Sequence, residues 1–189
     1  MHVLLSIGLT LSTFTTLLAQ DIHSTFHITL DDEKIGHFKV YQETAGTKMI
    51  RDFKTTSETK IIAISIHVET EAKVIREDGK FVEGIGYRHA NRGVDDIHSH
   101  TALVSNRKYE IKKDGKSVLK ENYDITWCIA DLFFKEPKGV HAIYSNMHGQ
   151  KLKIIHLGEG RYKVVSPDDK DSFYTYKNGK LMTVETHTP

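Results

Sequence analysis

Hydrophobic and polar positions alternate with period two along most of the chain. Ile64, Ile66 and Val68 alternate with Ser65, His67 and Glu69, and Phe26, Ile28 and Leu30 alternate with His27 and Thr29. Phe38 and Val40 share one side of a returning segment from Ile35 to Tyr41. This is the pattern of half-buried strands. Asp78-Gly79-Lys80, Asp114-Gly115-Lys116 and Asn178-Gly179-Lys180 punctuate it, with His148-Gly149-Gln150 as a looser copy. Asp-Gly and Asn-Gly reach the positive φ angles that type I′ hairpins require. The flanking β-branched and aromatic runs make these segments hairpins, and with the remaining periodic stretches they predict about eleven strands. One polar face per strand indicates antiparallel pairing.

One segment changes period. Asp124 to Phe134 spaces Ile125, Cys128, Ile129, Leu132 and Phe133 as on a helix, with Asp124 at the N-cap and Pro137 as the stop. It predicts a short amphipathic helix carrying Trp127. The expected fold is therefore mainly β: a curved antiparallel sheet, or open half-barrel, of about eleven strands with one short helix packed on it.

The first twenty residues contain no Asp, Glu, Lys or Arg, and the apolar run closes on Leu17-Leu18-Ala19-Gln20. It is read as a signal peptide over residues 1–19, cleaved after Ala19. The run is short for a membrane anchor and rich in Ser and Thr. Residues 20–189 then form one β-rich domain, exported to the periplasm or beyond, without a later transmembrane segment. Lys plus Arg number 26 against 25 Asp plus Glu. That balance speaks against nucleic acid as a partner. The single cysteine, Cys128, excludes an intrachain disulfide and, on the apolar side of its segment, reads as a buried structural thiol.

Catalytic signatures are missing: there is no G-x-S-x-G, H-E-x-x-H or Walker loop. Gly84-Ile85-Gly86 lies in a strand context and reads as a twist or bulge rather than a dinucleotide site. The sharpest chemical candidate is His98-Ser99-His100, two imidazoles on one strand face about 6.6 Å apart. If His89 pairs with Val94 across a hairpin, His100 faces Glu83 and His98 faces Ile85, so Glu83 is the better third ligand for a Zn²⁺. The simpler alternative is a solvated face with ordinary histidines, because twelve His are scattered through the chain. No cofactor and no enzymatic activity are expected.

Further residues carry a resemblance. Leu132-Phe133-Phe134-Lys135-Glu136-Pro137-Lys138-Gly139 is followed by Tyr144-Ser145, Gly149, Tyr162 and Ser166-Pro167-Asp168. The run Tyr174-Thr175-Tyr176-Lys177-Asn178-Gly179-Lys180-Leu181 closes the set, and Ile35-Gly36 opens it. Together these resemble a family of uncharacterised exported proteins of Gram-negative bacteria. The resemblance implies a half-barrel with a helix on its concave side, similar to the periplasmic lipoprotein carriers that hold acyl chains in the hollow. It implies no catalytic residues. Three functions stay open: binding of a lipid or other apolar small molecule at Phe26, Ile28, Phe38, Val40, Trp127 and Phe133; a structural or protein-interaction role in the envelope; and metal binding at His98, His100 and Glu83.

Overall fold

A computed structural model describes residues 22–30, 33–61, 64–92, 96–168 and 171–186. The expected signal peptide lies outside the described residues. The fold is mainly β, with thirteen strands, no α-helix and one 3-10 turn among the described residues. The strands are β1 (Ile22–Leu30), β2 (Glu33–Ala45), β3 (Lys48–Ile61), β4 (Ile64–Glu77), β5 (Lys80–Ala90), β6 (Ile97–Ser105), β7 (Lys108–Lys113), β8 (Lys116–Lys120), β9 (Ala142–Ser145), β10 (Gln150–Gly158), β11 (Arg161–Val164), β12 (Ser172–Lys177) and β13 (Lys180–Thr186). They make two open antiparallel sheets rather than one: β1 to β8 in chain order, and β13-β12-β11-β10-β9. β8 escaped the sequence pattern because all five of its residues are exposed, leaving no period to read.

The dipeptide turns form as their chemistry requires. Asp78-Gly79, Asp114-Gly115 and Asn178-Gly179 each take positive φ at both positions, from 48° to 77°. They join β4 to β5, β7 to β8 and β12 to β13. Gly84 and Gly86 serve a different purpose from a twist. A β carbon on Gly86 would lie 2.9 Å from the backbone carbon of Asn146, and one on Gly84 would lie 2.9 Å from its side-chain amide. The end of β9 thus lies directly on β5. The Asn146 amide donates to the carbonyls of Lys73 and Ile85 at 3.1 and 3.3 Å, and the Ser99 hydroxyl bonds the Asn146 carbonyl. The bulge itself falls opposite Ile75 and Arg76.

Two apolar clusters result. The first gathers Val40, Phe53, Val74, Phe81, Tyr109 and Ile111 from the large sheet around Cys128 and Tyr144. The second gathers Leu152, Ile154, Tyr162, Val164, Tyr174 and Tyr176 from the small sheet around Leu132 and Ile143. The segment expected as a helix runs between them, and here the expectation fails. Residues 123–127 form no regular element, Cys128 is extended, and the Tyr144 N–H donates to the Trp127 carbonyl at 2.8 Å beside a parallel bridge between Cys128 and Tyr144. Only Ile129–Phe133 coil, as a single 3-10 turn. The apolar residues of this segment do not share one face. Ile125 and Cys128 face the first cluster, whereas Leu132 and Trp127 face the second. A strip buried on both sides can spend its backbone on strand-like pairing, and helical spacing alone does not separate the two cases.

Candidate functional site

Phe133 closes the 3-10 turn and belongs to both clusters. Its ring centroid lies 4.6 Å from Phe38, 5.3 Å from Phe53, 6.2 Å from Phe26 and 6.0 Å from Tyr174. Antiparallel pairing sets this up: Phe26 is opposite Phe38, and Val40 is opposite Phe53, so all four point from β1–β3 toward the turn. On one side of the Phe38–Phe133 pair lies a cleft of about 590 Å³, open to solvent, between β1–β2 and β13. Phe26 and Ile28 form part of its wall, Met182 and Val184 face them, and His27, Thr183 and Glu185 supply polar groups. On the other side lies a smaller, almost wholly apolar pocket of about 160 Å³, equally open to solvent, among Phe53, Ala72, Ile129, Ala130, Asn146 and Met147. Phe38 and Phe133 belong to the walls of both.

A buried ionic cluster holds the turn in place. The Asp131 carboxylate accepts from the Arg76 guanidinium and the Cys128 N–H at 2.8 and 2.7 Å, and it also pairs with Arg51. Arg76 donates further to the carbonyls of Gly79 and Thr126, at 3.2 and 3.1 Å, and the Arg51 guanidinium stacks on Phe134. The side chains of Arg51, Arg76 and Asp131 are 11%, 6% and 10% exposed, so the pairing is nearly dry. Burial, and then the Asp131 carboxylate, push the Cys128 thiol up to about 12. It is therefore protonated at neutral pH and is no nucleophile.

The structure brings together four of the six predicted apolar site residues. Phe26, Ile28, Phe38 and Phe133 all line the open cleft. Val40, at 1% exposure, is sealed in the first cluster, and Trp127 packs against the second with the Lys135 ammonium 5.5 Å from its ring. The histidine pair lies on the opposite face of the large sheet. His98 is opposite Tyr87 and His100 opposite Ile85, two residues from the expected register. Glu83 still meets His100 diagonally, at 2.9 Å. His98 instead packs its ring against Tyr87. Among the described residues no three His, Cys, Asp or Glu side chains gather in a way that could hold a metal ion.

The sequence reading missed Arg51, Arg76 and Asp131. A signal existed for each. Arg51 shares the strand face of Phe53, and Arg76 that of Val74, both apolar faces, while Asp131 is the lone charge within Ile129-Ala130-Asp131-Leu132-Phe133-Phe134. Charges set at buried positions with opposite signs on separate segments are candidates for pairing. The chain belongs to a family described as a domain of unknown function (DUF6134), which it matches over residues 26–189. No curated protein and no solved structure matches it.

Proposed function

We propose that this protein holds an apolar or lipid-like ligand in the cleft between its two sheets, by binding rather than by catalysis, after export to the periplasm. The observation that carries the reading is the cleft itself. Ligand sites are concave, of roughly 300–1,000 Å³, and mainly apolar with a few polar groups. The cleft at Phe133 has that size and that lining. Met182 and Val184 on its far wall are 55% and 41% exposed, so apolar surface faces solvent across from Phe26 and Ile28. Covering it releases about 25 cal/mol per Å². The uncharged apolar segment at Met1 to Gln20 supports export. Native mass spectrometry of protein purified from its host compartment, paired with organic extraction, is the test. Co-purifying amphiphile supports the proposal; a clean apo mass with an empty extract refutes it.

A second reading has one observation in its favour. β1 and β13 are edge strands of their sheets among the described residues, and both border the same cleft. Such edges accept an added strand from a partner. A stable protein partner in a pull-down, together with an empty lipid extract, would favour this reading over the first.

A further inference from the structure

We infer that the apolar pocket of about 160 Å³, the inner of the two spaces, is a subsite for the tip of one apolar chain whose headgroup lies in the open cleft. This rests on the ligand-binding reading above and names the ligand class: a single-tailed amphiphile. The two spaces are adjacent, and the Phe38–Phe133 pair is the wall they share. They differ in a way that orders a ligand. The outer cleft is wider and carries His27, Thr183 and Glu185, suited to a polar headgroup. The inner pocket, about 160 Å³, is walled chiefly by Phe53, Ala72, Ile129 and Ala130 with the aromatic pair. An engineered apolar cavity of about 150 Å³ stays dry and takes up benzene. The inner space therefore has room for the last few carbons of one chain. Phe133 forms part of the wall between the two spaces. It is only partly buried and stands at the end of the turn. The backbone beneath it is clamped by the bonds of Asp131 to Arg51, Arg76 and Cys128.

The test is a chain-length series, from octanoate through decanoate to dodecanoate and tetradecanoate, titrated calorimetrically into the full mature protein and into Ala72→Leu. In the wild type each added methylene that reaches apolar surroundings tightens binding about fourfold. In Ala72→Leu, where the larger side chain fills the pocket, the series is expected to flatten at the longer acids, while octanoate binds both proteins alike. Intermolecular NOEs from the terminal methyl of dodecanoate to the Ala72 and Ala130 methyls, measured on the wild type, decide the matter if the variant does not fold. Equal length dependence in both proteins, or tail NOEs confined to Met182 and Val184, overturns the inner subsite and leaves the cleft reading standing. If no acid binds the wild type, both fall together.

Discussion

Removing the Asp131 carboxylate tests the account of how the turn is held. Its two oxygens receive Arg51, Arg76 and the Cys128 N–H, with the Cys128 thiol 3.2 Å away. Asp131→Ala strands two guanidinium groups where little water reaches, and breaking a buried pair in this way costs about 3–5 kcal/mol. At about 2–4 °C per kcal/mol for a domain of this size, Tm falls by roughly 10 °C. Asp131→Asn keeps the shape but turns an amide N–H₂ toward a guanidinium or the Cys128 N–H, so it recovers only part of the loss. Replacing the cluster together, as Arg51→Met, Arg76→Met and Asp131→Leu, is expected to lie closer to wild type than Asp131→Ala, because no charge is left unpaired. Urea unfolding followed through the fluorescence of Trp127, the single tryptophan, reads all four proteins. A loss below about 1 kcal/mol for Asp131→Ala, the range of an exposed pair, would refute the reasoning.

Gly86→Ala places a methyl against the Asn146 backbone at 2.9 Å and is expected to destabilise by about 1–3 kcal/mol in the same assay. Wild-type stability there would show that β9 does not rest on β5. The Cys128 thiol should resist alkylation by iodoacetamide in native buffer and react fully in denaturant; rapid native labelling, read by mass spectrometry, contradicts its burial. Burial holds the His148 imidazole below its ordinary value of 6.5, against the opposing pull of Asp168. Below that value the unfolded chain takes up the proton first, so the His148 contribution to stability is intact above about pH 6.5 and falls as pH drops toward the folded value. Comparing unfolding free energies of wild type and His148→Gln between pH 7.5 and about pH 5 isolates it; parallel profiles would remove the claim.

The hairpins were legible because their cause is local. A type I′ turn needs two adjacent residues that tolerate positive φ, and Asp-Gly or Asn-Gly announces that within a dipeptide. Side-chain parity was legible for the same reason, since a period of two assigns each residue to a face. It placed Phe26, Ile28, Phe38 and Val40 on one side of their strands, and His98, His100 and Glu83 on a common face; that the two faces are opposite came from the structure. The shift of two residues in the β5–β6 register was not legible. The Asp96 carboxylate bonds the His89 imidazole at 2.9 Å and the Ala90 N–H at 3.3 Å, so pairing begins only at Arg88 and Ile97. A shift by an even number keeps every side chain on its face, so the hydrophobic pattern carries no record of it.

The amino-acid sequence by itself settled where the chain reverses, which strand positions share a face, and that sheet rather than helix dominates. These follow from φ preferences and from a period that neighbouring residues report. Only the tertiary structure decided that the strands divide into two sheets, that the expected helix is replaced by an irregular run, a bridge at Cys128 and a single 3-10 turn, and that Asp131 meets two arginines from strands far away in the chain. Each depends on what lies across the gap from a given face. A buried carboxylate is stable only when its cations arrive from elsewhere, and an apolar strip becomes helix or strand according to whether one core or two receive it.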